Sequence, residues 1–288
     1  MTEGPAWEPG VIDAHHHLWD LAVREQPWTA GLPPLRRSFG LDDLRAALGG
    51  SGVTGTVLVQ TVTVAAETPE MLALAAAEPL IRGVVGWVPL DSASVADQLA
   101  RLRAVPGGDT LVGIRHQVQE EPDPDWLGRP AVRRGLAAVG AAGLAYDLLV
   151  TADQLPAAIA AVRALPDVRF VLDHAGNPPA DPAAAAVWRR DVTELARSGN
   201  VVVKLSGLVT RGYPGPVPAP EYRSWARTLL DAFGPDRIMY GSDWPVCLLS
   251  ATYDDVLSAA QAVTAGLSPA EQRAVFAETA VRSYRLAG

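Results

Sequence analysis

The stretch VIDAHHH, from Val11 to His17, starts on β-branched and apolar residues and ends in three histidines. Runs of the same make recur seven times: GTVLVQ from Gly55, GVVGWVPL from Gly83, LVGIRHQ from Leu111, LAYDLLV from Leu144, VRFVLDHAG from Val168, VVVKLSG from Val201 and RIMYGSDWP from Arg237. Each reads as a short buried strand. No two-residue hairpin turn joins one run to the next, and starts spaced by roughly 25 to 45 residues leave room for a helix between strands. Helix-start signals fill those gaps. Thr68, Asp181 and Ser268 each precede a proline, as an N-cap precedes Pro at the first helical position. Thr151 with Gln154, and Ser268 with Glu271, fit capping boxes. Eight apolar parallel strands, each followed by a helix, predict a single α/β domain over residues 1–288, a distorted (β/α)₈ TIM-like barrel with residues 1–10 as a tail. The rival, an open doubly wound sheet, is disfavoured because no Gly-rich phosphate turn follows the first strand.

Composition narrows the function class. Of 288 residues 49% are apolar, enough for a sizeable core without disulfides or structural metal. Lys and Arg total 24 against 32 Asp and Glu, a net charge of −8, the wrong sign for a phosphate-backbone binder, so nucleic acid is not an expected partner. The single cysteine, Cys247, cannot pair internally, and MTEGPAWEPG has neither a basic nor an apolar signal region. The most continuous apolar stretch, GLAAVGAAGLAYDLLV, is broken at Asp147 and falls short of the ~20 residues a membrane span needs. A cytoplasmic enzyme with a small-molecule substrate is the expectation; oligomeric state, a homo-oligomer included, is left open.

The chemistry-bearing residues gather at strand ends. All five histidines lie there: His15, His16 and His17 on the first strand, His116 on the fourth and His174 on the sixth. Alternation puts His15 and His17 on one face and His16 on the other. If Asp13, His15 and His17 point inward, two imidazoles about 7 Å apart converge on the barrel mouth, a spacing that suits one metal ion or one substrate group. Asp243, in GSDWP, ends the eighth strand beside the first; it reads either as a carboxylate that binds metal or takes a proton from water, or as an Asx-turn. His174 shares a face with Phe170 and Leu172, the polar end of an inward apolar row. Arg115 and His116 are adjacent, and His116 is assigned the inward position with Arg115 reaching in from the rim. Lys204 is the sole lysine beside 23 arginines; it reads equally as a substrate contact and as a salt-bridged cation in the barrel floor. Three long connections, after the first, fourth and seventh strands, would stand on the C-terminal rim as lids or substrate walls.

Taken in order, IDAHHHLWD, VGIRH, LDHAG, VVKLSGL and MYGSDWP resemble the amidohydrolase superfamily, and within it the amidohydrolase-related group that includes L-fuconolactonase, L-rhamnonolactonase and sulfomuconolactone hydrolases. The resemblance runs from Ile12 to the helix FAETAVRSYRL. It implies a barrel hydrolase with its site at the C-terminal strand ends, His15, His17 and Asp243 as metal ligands, and His174 as the sixth-strand histidine. His116 stands where two-metal relatives place a bridging Lys or Glu, and LAYDLLV lacks the fifth-strand histidine. Both departures imply at most one divalent ion, zinc favoured, or a metal-independent reaction. The implied reaction is lactone opening: Asp243 activates water, His15, His17 and any zinc polarise the carbonyl, and His174, His116, Arg115 and Lys204 orient the lactone and steady the oxyanion. Trp19, Trp87 and Trp244 are the expected apolar faces for a sugar ring. A decarboxylase of the same superfamily, acting on an aromatic or unsaturated acid, and a non-catalytic barrel binding a small acid are the alternatives.

Overall fold

The computed structural model describes residues 10–215, 217 and 219–287. The eight runs are eight strands: β1 (Val11–His16), β2 (Val53–Val59), β3 (Ile81–Gly86), β4 (Leu111–His116), β5 (Ala145–Leu148), β6 (Arg169–Leu172), β7 (Val201–Leu205) and β8 (Ile238–Tyr240). They pair in parallel in chain order. Between them lie α1 (Leu41–Leu48), α2 (Glu67–Ala77), α3 (Val95–Arg103), α4 (Pro130–Ala141), α5 (Leu155–Ala164), α6 (Pro182–Leu195) and α7 (Ala219–Phe233). After β8 come α8 (Tyr253–Thr264), α9 (Pro269–Arg273) and α10 (Thr279–Tyr284), the last two joined by a π-helical turn at Ala274–Glu278. No helix among the described residues is long and apolar enough to cross a membrane. Of the expected tail, only Gly10 lies within the described residues.

The caps work as their chemistry dictates, with one shift. Asp181 accepts from the Ala184 N–H at 2.8 Å, and Ser268 and Glu271 close a capping box on α9. Thr151 and Gln154 close theirs on a short 3₁₀ turn before α5. Thr68, however, lies inside α2, which begins at Glu67, and its hydroxyl instead accepts from the Trp87 N–H at 2.9 Å.

Two apolar layers hold the barrel. Outward residues such as Leu58, Ile114, Phe170, Leu172 and Val203 pack in one cluster with the helices. Ile12, Ala14, Val57, Val59, Val85, Ala145, Val171 and Met239 form a second, with Tyr284 and Leu286 of the C-terminal segment plugging the floor. These inward residues fix the parity of what lies above them. Asp147 follows Ala145 and Asp173 follows Val171, so both carboxylates face inward. Gly113, whose open side faces Val85 and Tyr284, sets the same direction for Arg115.

On β1 the alternation breaks. Asp13 pairs with Thr56 and His16 with Leu58, three steps on β1 against two on β2, so one extra residue bulges. Ala14 belongs to the interior, and His15 turns inward directly after it. The inward position expected for Asp13 is therefore corrected: it points away from the mouth and accepts from Ser242 N–H (2.8 Å), Ser242 Oγ (2.6 Å) and the Tyr253 hydroxyl of α8 (3.1 Å). The ring closes just past β8, where Asp243 N–H donates to His15 O at 2.8 Å and His17 N–H to Trp244 O at 2.7 Å. Barrel closure thus brings Asp243 against the histidines.

Candidate active site

Directly above the apolar interior lies a layer of buried charge. The Lys204 ammonium donates to Asp147 Oδ2 at 2.6 Å, ion-pairs with Asp173 Oδ1 at 2.9 Å and lies 3.1 Å from His15 Nδ1. Arg115 Nη1 donates to Asp173 Oδ2 at 3.1 Å, and the Tyr284 hydroxyl to Asp147 Oδ2 at 2.7 Å. Two carboxylates thus face two fixed cations, the arrangement buried charges require. Burial alone would raise the Asp173 carboxyl, but Lys204, His15 and Arg115 hold it well below the usual range. Asp147, less well surrounded, is pushed up by burial to about 6 against the pull of Lys204.

On this layer stand His15, fully buried, and His17 and Asp243, which line the cavity. His15 Nε2 and His17 Nε2 are 3.2 Å apart, and Asp243 Oδ1 lies 3.7 and 3.5 Å from them. Ligand atoms 2.0–2.1 Å from a tetrahedral metal stand about 3.3 Å from one another, so this triangle fits one divalent ion. The donor chemistry fits as well. His17 Nδ1 bonds to Val59 O at 2.7 Å, which leaves Nε2 free for the triangle, and burial holds the His17 ring down to about 3, in the neutral form a ligand needs. Burial and Lys204 likewise hold His15 far below its usual value. A second set, His15, Asp173 and His174, is also close enough for an ion, but Lys204 and Arg115 already neutralise Asp173 there.

Asp243 and His174 reach the mouth through left-handed backbone, at φ of 57° and 51°. Burial raises the Asp243 carboxyl, with His174 and Arg115 pulling the other way. His174 Nδ1 pairs with Ser206 Oγ at 2.9 Å, and a Cβ at Gly207 would lie 2.5 Å from that same nitrogen, so the close approach requires glycine. The cavity, about 350 Å³, is lined by His17, Arg115, His174 and Asp243 together with Trp28 and Arg211.

The structure thus brings together His15, His17, His174, Asp243 and Arg115. It separates other expected site residues from the cavity. His116 points the other way from its neighbour: its Nδ1 accepts from Trp87 Nε1 at 3.0 Å, its Nε2 meets Glu121 at 2.8 Å, and its ring stacks on Trp126 with centroids 4.3 Å apart. The inward assignment of His116 is corrected to Arg115, because β4 keeps its alternation to the end. Lys204 is fully buried beneath the cavity rather than along its wall. Trp19 packs on Trp28 and Phe39, Trp244 packs on Phe39, and Trp87 serves His116; none of the three lines the cavity. The aromatic face there is Trp28. Sequence reasoning also missed Asp147 and Asp173. The signal for both was present: a carboxylate inside or ending an apolar strand, two residues beyond Ala145 and Val171.

Comparison with known proteins identifies the family. The amidohydrolase family profile matches residues 12–286. The chain is 39% identical over 288 residues to an L-fucono-1,5-lactonase of Burkholderia multivorans, covering 96% of both chains. It is 36% identical over 280 residues to an L-fucono-1,5-lactonase of Burkholderia ambifaria, covering 96% of this chain and 95% of that one. A crystal structure of an amidohydrolase from Burkholderia multivorans with bound zinc superposes with a TM-score of 0.90 at 37% identity, over 96% of this chain and 99% of that one. With the profile spanning nearly every described residue and two relatives above 30% identity over almost the whole chain, the chain belongs to the amidohydrolase family.

Proposed function

We propose that the protein is a lactonase that hydrolyses a sugar-acid 1,5-lactone of the L-fucono type. The observation that carries this reading is the Asp243 carboxylate, set at the cavity floor within 3.7 Å of the Nε2 atoms of His15 and His17, in a chain collinear with two L-fucono-1,5-lactonases. Opening a lactone requires a water to lose a proton, the carbonyl to be polarised and the leaving alkoxide to be protonated. Asp243, raised by burial, takes the proton from water. His174 Nδ1 pairs with the Ser206 hydroxyl; with that hydroxyl as donor, Nε2 carries the proton that a departing ring oxygen needs. Arg115, held by Asp173 and lining the cavity, places a fixed positive charge beside the developing oxyanion. His15, His17 and Asp243 are the residues that would hold a divalent ion, zinc by the precedent of the solved relative, and when bound it would supply Lewis-acid polarisation of the carbonyl. Lys204 acts from below, as a positioning residue that keeps Asp173 and His15 in place.

The test is proton release from L-fucono-1,5-lactone followed with a pH indicator, with and without chelator, beside elemental analysis of protein purified without added metal. Saturable turnover and at most one equivalent of metal per chain are expected. No turnover on sugar-acid 1,5-lactones would overturn the assignment, and two tightly held equivalents would show that the metal ligands are misplaced.

A further inference from the structure

Asn177 ties the rim loops together. Its Nδ2 donates to Val150 O at 2.9 Å and to Gln119 Oε1 at 3.3 Å, and its Oδ1 accepts from Arg211 Nη1 at 3.2 Å. Arg211 Nε donates in turn to Pro178 O at 3.2 Å. One edge of the guanidinium, carried by the Pro/Gly-rich connection after β7, is thereby fixed to the loop after β6. The side chain lines the cavity beside Gln117, Gln119, Asn177 and Thr210. Arg211 forms no ion pair with any described residue, and its Nη2 makes no hydrogen bond to one. A guanidinium held in a cavity wall without a counter-charge is a fork of donors facing whatever enters.

The neighbours say which chemistry that is. Glu120, exposed and without an ion pair to a described residue, lines the same cavity, so its wall offers an anionic acceptor as well as a cation. A cationic donor, an anionic acceptor and amides that do both together match neighbouring hydroxyl groups, each of which donates one hydrogen bond and accepts others. We propose that Arg211, hung on Asn177, is a specificity-determining residue that reads adjacent hydroxyls of a polyhydroxylated lactone. The inference rests on the lactonase reading and adds to it the feature by which the site tells a sugar lactone from a bare ring.

The experiment compares wild type, Arg211→Met and Arg211→Lys on L-fucono-1,5-lactone and on unsubstituted δ-valerolactone, with melting temperatures to confirm folding. For Arg211→Met, kcat/KM on the hydroxylated lactone should fall about 10- to 100-fold, chiefly through KM, the scale of hydrogen bonds to a charged group. The loss on δ-valerolactone should be several-fold smaller, so the preference for hydroxylated substrate collapses, and Arg211→Lys should keep part of it. Equal losses on both substrates would mean that Arg211 merely props the loop, and no loss on either that it faces solvent; each overturns the proposal. A wild-type preference for a carboxylate-bearing lactone that vanishes in Arg211→Met would overturn it too, in favour of an anion reader. Wild type that opens δ-valerolactone but not the hydroxylated ring defeats this inference and leaves a lactonase standing. Wild type that opens neither defeats the lactonase reading, and this inference with it.

Discussion

The barrel interior is two regions one residue apart. In the lower one every charge is answered: Lys204 by Asp147 and Asp173, Asp173 by Lys204 and Arg115, Asp147 by Lys204 and Tyr284. In the upper one answers are missing: the Asp243 carboxylate accepts no hydrogen bond from any described residue, and the imidazoles of His17 and His15 stand 3.5 and 3.7 Å away. The difference separates stability from chemistry. A charge-paired buried network resists change because removing one member strands another, whereas a carboxylate at a cavity floor with no hydrogen bond is free to act on a ligand.

The sharpest way to break that division is to alter one residue in each region. Asp243→Asn should lower kcat by about 10²- to 10⁴-fold, the range for a general base, with little change in melting temperature. Steady-state kinetics on a folded sample decide it, and near wild-type kcat would move the base elsewhere. Lys204→Met should do the reverse of what a substrate contact would. With Asp147 stripped of its cation and Asp173 left to Arg115 alone, the cost is about 3–5 kcal/mol, or roughly 6–20 °C in melting temperature at about 2–4 °C per kcal/mol. A raised KM at unchanged melting temperature would instead bring Lys204 up into the cavity.

A third variant probes the boundary between the regions. Gly207 sits at φ 64° with its open side on the His174 ring. Gly207→Ala combines left-handed strain, about 1–3 kcal/mol, with a methyl 2.5 Å from His174 Nδ1. The ring must move, so kcat should fall at least tenfold, more than the modest drop in stability accounts for. If circular dichroism shows a lower melting temperature while kcat per folded molecule holds, His174 does not need its present orientation.

How the two regions were legible in the sequence follows from the same physics. All eight strands could be read, because parallel strands covered on both faces are near-continuous apolar runs. That same continuity erases the alternation that tells inside from outside. On β6, Phe170 and Leu172 look like an inward row and in fact face the helices, while Val171 faces in. His174 therefore reaches the cavity by a left-handed turn after the strand rather than by strand parity, and Asp173, the true next inward residue, went unseen. The bulge that turns His15 inward directly after Ala14, with Asp13 left facing away from the mouth, leaves no mark in VIDAHHH. Trp28 lies in a 3₁₀ turn of the long connection after β1, where no periodicity points to it.

The smallest expected effect tests parity itself. Arg115 and His116 are consecutive on β4, one turned into the charged layer and the other stacked on Trp126 and bonded to Trp87 outside it. If the barrel interior alone carries the chemistry, His116→Phe should keep the stacking, lose the Trp87 and Glu121 hydrogen bonds, and change kcat by no more than a few-fold. Each lost bond is worth about 0.5–1.5 kcal/mol, so the change should appear as a lowered unfolding midpoint in urea with an unaltered slope. Arg115→Met, its neighbour, should take away most of kcat and, because Asp173 loses one of its two cations, lower the melting temperature as well. A large loss of kcat in His116→Phe at wild-type stability would show that the outer face of β4 takes part in catalysis, and the division drawn between the two sides of the strand would fail.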